Sequence, residues 1–95
     1  LRYNKSMDTL NDLDRVEHNR VIWHSRRGML ELDIVLETFV KQYYQTLEPD
    51  QRLLYRRLLE CDDQQLYDWF LKKKPAADTE LASMIELILA YNRKT

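Results

Sequence analysis

The sequence predicts an all-α fold: a compact five-helix bundle in a single domain. With 95 residues, the chain has the size of one domain. It contains one glycine and two prolines, too few for the tight turns of a sandwich, a barrel or a run of hairpins. Apolar residues make up 44% of the chain, which suffices for one modest core and is too much for a disordered protein.

The first part of the chain is expected to hold a tail and one surface helix. Residues 1–13 are polar and lack a sustained apolar period, as is typical of a flexible N-terminal tail, and residues 1–6 are candidate non-native sequence. The five-helix domain is therefore expected over residues 14–95. Its first helix is expected over residues 14–27, on the bundle surface because its apolar side is thin, and Gly28 interrupts it. That thin side consists of Val16, Val21, Ile22 and Trp23.

Apolar spacing predicts the second and third helices. The second begins after Gly28 and has the i, i+3, i+4, i+7 pattern of a helix packed on a core. Glu48, Pro49 and Asp50 end it and begin the third helix, because proline and acidic residues suit a helix N-terminus. The third helix is expected to reach about Glu60. The inward residues are Leu32, Val35, Leu36, Phe39, Val40, Tyr43 and Leu47 in the second helix and Leu54, Tyr55 and Leu58 in the third.

Capping residues predict the last two helices. Asp62 and Gln65 have the spacing of a capping box that opens a short fourth helix. The lysines at residues 72–74 and the following Pro75 end that helix. Asp78 is expected to cap the fifth helix. The inward residues are Leu66, Trp69 and Phe70 in the fourth helix and Leu81, Met84, Ile85 and Ile88 in the fifth.

Charge and apolar runs exclude several classes of protein. Fifteen basic against sixteen acidic residues give a formal net charge of −1, unlike the strongly basic balance of a nucleic-acid-binding protein. No run approaches the ~18 apolar residues of a membrane span, so no membrane insertion is expected. The single cysteine, Cys61, cannot form an internal disulfide, which is consistent with a cytoplasmic location.

Residues able to perform catalysis or bind a metal ion are few. A single glycine excludes Gly-rich phosphate loops and dinucleotide fingerprints. His18 and His24 lie about 240° apart around a helix, so they do not converge on a metal ion. Acidic neighbours raise the pKa of the Cys61 thiol and oppose a nucleophilic role. We therefore predict no catalytic residue, no metal site and no stably bound cofactor.

The segment RRGMLE, residues 26–31, is the candidate functional site. Gly28 has two explanations: a C′ residue that ends the first helix at positive φ, or bare backbone that a partner approaches closely. Glu31 lies off the apolar stripe of the second helix, so packing does not explain it. An exposed arginine and glutamate beside uncovered backbone predict a protein-docking surface. The residues expected to bind a partner are Arg26, Arg27, Gly28, Met29 and Glu31.

Three motifs resemble the succinate dehydrogenase FAD assembly factor family, small five-helix proteins of bacteria and mitochondria. The resemblance covers roughly residues 19–93, with Trp23 at the matching position upstream of the first motif. The sequence departs from the family at residues 64–65, Gln-Gln, where Pro-Asp is more common. The motifs are RRGMLELD at residues 26–33, RLLECDD at residues 57–63 and LYDWF at residues 66–70.

The resemblance implies a function that composition and spacing do not show. Family members bind the flavoprotein subunit of succinate dehydrogenase, and of fumarate reductase, and promote covalent attachment of FAD to a histidine of that subunit. The family's functional RGxxE segment corresponds to Arg27, Gly28 and Glu31. A bacterial assembly factor is therefore expected rather than an enzyme, monomeric when free, with FAD handled through the partner flavoprotein.

Three other functions stay open. An antitoxin-like regulatory protein-binding module is implied by the resemblance, since part of the family is described as an antitoxin, and the residues do not test it. A nucleic-acid-binding protein that uses Arg20, Arg26 and Arg27 would bind with a steep salt dependence. A direct flavin carrier would stack the flavin on Trp23, but the chain has no Gly-rich loop for the pyrophosphate.

Overall fold

A computed structural model describes residues 15–94, and in this part of the chain five helices pack around one core. The all-α prediction is confirmed. The predicted tail, residues 1–13, lies outside the described residues and stays a prediction, as does the domain range 14–95. Within residues 15–94, no helix combines the length and apolarity needed to cross a membrane. The helices are α1 at residues 15–24, α2 at Leu30–Tyr43, α3 at Pro49–Leu59, α4 at Asp63–Phe70 and α5 at Thr79–Lys94.

The inward stripes of the helices meet in the core largely as predicted. Helix α2 packs against α4 and α5, and α3 packs against α5. Phe39 of α2 lies at the centre, with its ring 5.5 Å from that of Tyr55 and 5.7 Å from that of Tyr91. Each fully buried large side chain contributes about 1.5–3 kcal/mol, so packing of these faces stabilises the helices. The fully or nearly fully buried residues include Leu32, Leu36, Val40, Leu58, Leu66, Phe70, Met84 and Ile88.

Helix α1 is shorter and less buried than predicted. It ends at residue 24 rather than 27, because the amides of Arg27 and Gly28 donate to the carboxylate of Asp33 instead of to carbonyls of α1. Val16 and Trp23, placed on the apolar side from the sequence, are both exposed. Only Val21 of that side is fully buried. The helix therefore touches the core along a narrow line.

A buried hydroxyl pair attaches the end of α1 to α3. The Ser25 hydroxyl donates to the Val21 carbonyl at 2.7 Å. Because its proton is used there, it accepts the hydrogen bond from the Tyr55 hydroxyl, also 2.7 Å away. Ser25 is the buried polar residue at this junction, and burial raises the pKa of Tyr55 far above its ordinary value. The pair sets where α1 ends relative to α3.

Helix α2 also ends earlier than predicted. It stops at Tyr43 and is followed by a 3-10 turn, Tyr44–Thr46, rather than continuing to Leu47. The Thr46 hydroxyl donates to the Tyr43 carbonyl at 2.6 Å, which satisfies an acceptor at the helix end. Leu47 is extended but still buried. The prediction of its burial is confirmed and that of its helical conformation is wrong.

The predicted caps of α4 and α5 are confirmed. The Gln65 amide donates to the Asp62 carboxylate at 2.8 Å, and the Asp62 amide donates to the Gln65 side chain at 3.3 Å. Gln65 thus completes a capping box where the sequence departs from the family pattern. At α5, the Leu81 amide donates to the Asp78 carboxylate at 3.0 Å.

The Asp78 cap makes stability depend on pH. The hydrogen bond from the Leu81 amide, with Arg57 nearby, lowers the pKa of Asp78 below its ordinary 3.8. A carboxylate with a lowered folded-state pKa stabilises the fold above its unfolded value, and this stabilisation is lost as the pH falls through the folded value.

We expect Asp78→Asn to be less stable than the wild type at neutral pH, because asparagine caps the helix without the negative charge that interacts favourably with the helix N-terminus and with Arg57. Below the ordinary value of 3.8, the two proteins should become more alike as the wild-type carboxylate is protonated. Urea unfolding at neutral and acidic pH measures both differences. A difference that stays constant with pH would contradict the assignment.

Candidate functional site

The connection between α1 and α2, residues 25–29, is fixed by one carboxylate. Asp33, in the first turn of α2, reaches back over the connection. Its Oδ1 accepts from the Arg27 amide at 2.6 Å and its Oδ2 accepts from the Gly28 amide at 3.1 Å. The Asp33 amide in turn donates to the Met29 carbonyl at 2.8 Å. Both ends of one residue therefore hold three consecutive residues of the connection.

Gly28 adopts the backbone conformation that the sequence predicted, for a different reason. Its φ is +82°, in the region that side chains other than glycine rarely adopt. It lies well beyond the end of α1, so the expectation that it is the C′ residue of that helix is wrong. Apart from the two chain neighbours, no atom among residues 15–94 lies within 4 Å of the position that a Cβ would take. Gly28 thus presents backbone to open space, as the docking explanation expects.

Arg27 is turned inward, which corrects the expectation of an exposed side chain. The side chain is 17% exposed, and its Nη1 lies 3.6 Å from Oδ1 of Asp63. Its Nη2 donates to the Leu59 carbonyl at the end of α3. Carbonyls at a helix C-terminus have no partner within the helix, and a guanidinium is well suited to satisfy them. Arg27 therefore positions the segment between α3 and α4.

The other three predicted residues differ in how accessible they are. Glu31 is exposed in the first turn of α2 and has no polar partner among residues 15–94. Arg26 is half-exposed and donates from Nε to Glu37 at 3.0 Å. Met29 is partly buried against the core. Gly28 and Glu31 are therefore the most open of the five, with Arg26 at their side.

Removing the Asp33 carboxylate should loosen the connection. We expect Asp33→Ala to lower the free energy of unfolding by about 1–3 kcal/mol, because two backbone amides lose their acceptor. Asp33→Asn keeps one acceptor oxygen and should lose less. Urea unfolding gives the stability, and amide hydrogen exchange at Arg27 and Gly28 should become faster in both variants. Wild-type stability and exchange in Asp33→Ala would contradict this role.

Three large apolar side chains close to Gly28 in sequence are exposed, which was not predicted from the sequence. Leu30 is 75% exposed, Ile34 56% and Trp23 67%. Leu30 and Ile34 are one turn apart on the face of α2 nearly opposite its buried stripe. We call Trp23, Leu30 and Ile34 the exposed strip. The available signal was that Leu30 and Ile34 are apolar but fall outside the helical period of the core residues.

The side chains of His18 and Cys61, which were weighed as metal-binding or catalytic groups, have contacts typical of structural residues. The Nε2 of His18 donates to the Val40 carbonyl at 2.8 Å, and the ring stacks on Tyr44. Burial, and then Asp62, raise the pKa of the Cys61 thiol, so the predicted direction is confirmed. Within residues 15–94, no three His, Cys, Asp or Glu side chains are grouped so that they could hold a metal ion.

The fold and the site together define a class of protein. It is a small helical bundle in which the connection between α1 and α2 is held in one conformation and is open to solvent. Comparison with known families then identifies the particular family. The chain belongs to the family described as flavinator of succinate dehydrogenase, whose model matches residues 19–92. The family resemblance inferred from the motifs is confirmed.

Individual relatives agree with the family assignment. The FAD assembly factor SdhE of Pseudomonas savastanoi pv. phaseolicola is 49% identical over 77 residues, covering 81% of this chain and 92% of the relative. The FAD assembly factor SdhE of Pseudomonas aeruginosa is 43% identical over 76 residues, covering 80% and 90%. That of Shewanella oneidensis is 47% identical over 66 residues, covering 70% and 80%. Each of these relatives is similar to the chain over at least 70% of its length.

Proposed function

We propose that this protein binds the flavoprotein subunit of succinate dehydrogenase and promotes covalent attachment of FAD to it. Membership of the flavinator family supports the target. The observation that supports the site is the open surface formed by Gly28 and Glu31, which we call the Gly28–Glu31 surface. It lies on and beside a connection that Asp33 holds in place. An exposed carboxylate with no partner in the described chain, beside uncovered backbone, is suited to contact another protein.

In this proposal the bundle acts by positioning rather than by chemistry of its own. The Cys61 thiol, with its raised pKa, is protonated at neutral pH and is a poor nucleophile. Attachment is therefore assigned to the flavoprotein, which this protein would hold in a productive conformation. Glu31 would accept hydrogen bonds from a basic or amide group of the partner, and Gly28 would allow close approach.

FAD is proposed to be handled through the partner rather than held stably by this chain. The Arg26 guanidinium lies 4.9 Å from the centre of the Trp23 ring, so one face of that ring is already covered. A flavin stacked on Trp23 would have only the other face. We propose the same role toward the flavoprotein of fumarate reductase. We also propose that this protein is cytoplasmic and is monomeric before it binds its partner.

Covalent flavin provides a direct test, because it survives denaturation. We expect the flavoprotein subunit to show strong in-gel flavin fluorescence when co-expressed with this protein and weak fluorescence when expressed alone. Size-exclusion chromatography of the purified pair should give a 1:1 complex. Equal fluorescence with and without this protein, together with no co-elution at micromolar concentration, would overturn the proposal.

A further inference from the structure

The exposed strip is the most prominent apolar feature on the surface of residues 15–94. Trp23, Leu30 and Ile34 are each more than half exposed, whereas the inward residues of the same helices are buried. Large apolar side chains that are exposed together commonly mark a protein-binding site. Nothing in the packing of α2 requires Leu30 or Ile34 to be apolar, because both lie away from its buried stripe.

The strip is continuous with the Gly28–Glu31 surface. Leu30, Ile34 and Glu37 follow one another along a single face of α2. Arg26 connects Trp23 to that face, since its guanidinium covers the Trp23 ring and its Nε donates to Glu37 at 3.0 Å. Glu37 also lies 3.4 Å from Lys41, one turn further along. The apolar side chains thus have paired charges along one edge.

Glu31 is adjacent to the strip on its other side. It follows Leu30 directly and lies about 60° around the helix from Ile34. An apolar centre with polar residues around it is the usual arrangement of a protein interface, in which a few large side chains account for most of the affinity. Tryptophan is especially frequent among such side chains.

We propose that the exposed strip is the apolar anchor of the interface with the flavoprotein subunit, an inference that rests on the function proposed above. It binds an apolar patch of the flavoprotein, while Glu31 binds a polar group beside that patch. The contact with Gly28 and Glu31 fixes orientation, and the strip supplies most of the affinity.

The position of the strip favours the flavoprotein over a second copy of this chain. A partner that reaches Gly28 and Glu31 also covers Leu30, since these residues are neighbours in sequence and on one side of the bundle. A stable interface buries at least about 600 Å² on each partner, more than three side chains supply. The strip is therefore one part of a larger surface that includes Gly28 and Glu31, which the proposed function assigns to the flavoprotein.

A matched pair of double variants tests the strip. Leu30→Ser with Ile34→Ser removes its two aliphatic residues. Leu53→Ser with Val16→Ser is the control, because Leu53 is 54% exposed and Val16 48%. Neither lies on α2: Leu53 is on α3, Val16 is on α1 two turns before Trp23, and both line the surface beside Arg56. Each pair removes one leucine and one β-branched residue from exposed helical positions. Thermal melts should show both double variants folded and similarly stable.

Isothermal titration calorimetry against the purified flavoprotein subunit measures the effect. We expect the dissociation constant of the strip variant to rise by about tenfold or more, with a smaller negative heat-capacity change, because less apolar surface is buried. The control variant should bind like the wild type. Glu31→Ala should weaken binding with little effect on the heat-capacity change.

The outcomes separate this inference from the proposed function. If the wild type does not bind the flavoprotein at all, the proposed function fails. If the wild type binds and the strip and control variants bind equally well, only the inference about the strip is overturned. A strip variant that changes a wild-type dimer into a monomer, with unchanged flavoprotein affinity, would assign the strip to a second copy and also overturn it.

Discussion

We expect Glu31→Ala to abolish most covalent flavin attachment while leaving the free energy of unfolding within about 1 kcal/mol of the wild type. Glu31 is exposed and has no polar partner among the described residues, so its removal leaves no buried group unsatisfied. As an acidic residue in the first turn of α2, it contributes the modest favourable interaction of a carboxylate with a helix N-terminus, about 0.3–1 kcal/mol. In-gel flavin fluorescence of the co-expressed flavoprotein subunit measures attachment, and urea unfolding of the purified variant measures the free energy of unfolding.

Two variants control this experiment. Glu86→Ala removes an exposed carboxylate from α5 and should attach flavin like the wild type, which excludes a general effect of net charge. Glu31→Gln keeps the shape and one acceptor and should retain part of the activity if hydrogen bonding matters more than charge. The docking role of Glu31 is wrong if Glu31→Ala unfolds the protein or attaches flavin to the wild-type extent.

The second large effect is expected at Gly28. We expect both Gly28→Ala and Gly28→Arg to destabilise the fold by about 1–2 kcal/mol, because any Cβ is strained at positive φ. For a domain of this size, 1 kcal/mol lowers the melting temperature by about 4–8 °C. Beyond the chain neighbours of Gly28, no atom of residues 15–94 lies within 4 Å of a Cβ at this position, so the Cβ itself adds no clash and the strain comes from the backbone conformation.

The two Gly28 variants should differ in binding. The alanine methyl group projects only slightly from the connection, whereas the arginine side chain occupies the space through which a partner would approach. We therefore expect Gly28→Arg to lose both flavoprotein binding and flavin attachment, and Gly28→Ala to keep much of both at temperatures where it is folded. Equal activity of the two folded variants would show that Gly28 serves only the local backbone conformation.

The core and the caps could be predicted from the sequence because both follow from local patterns. The apolar residues from Leu32 to Val40 recur with the period of a helix, and this pattern predicts which side of α2 is buried. Asp62 and Asp78 indicate where helices begin, because each caps its helix by a hydrogen bond with the residue three positions later. These features depend on neighbours along the chain, so no tertiary information is needed.

The candidate site was predicted less completely because its geometry depends on particular side-chain contacts, one of them with a residue distant in sequence. The inward orientation of Arg27 depends on the Leu59 carbonyl, 32 residues away. The end of α1 depends on the competition of Asp33 for the amides of Arg27 and Gly28. The exposure of Trp23 follows from how narrowly α1 contacts the bundle. None of these arrangements has a local sequence pattern.

The hydrogen bonds that Asp33 and Arg27 make around the connection affect the thermodynamics of association. Ordering a mobile backbone costs about 1–2 kcal/mol of conformational entropy for each residue. Residues 26–29 are already held on one side by the Asp33 carboxylate and on the other by the bond from Arg27 to Leu59. A partner that binds there has little loop entropy to overcome. Much of the conformational entropy of the connection is therefore lost when the bundle folds, before this protein contacts its partner.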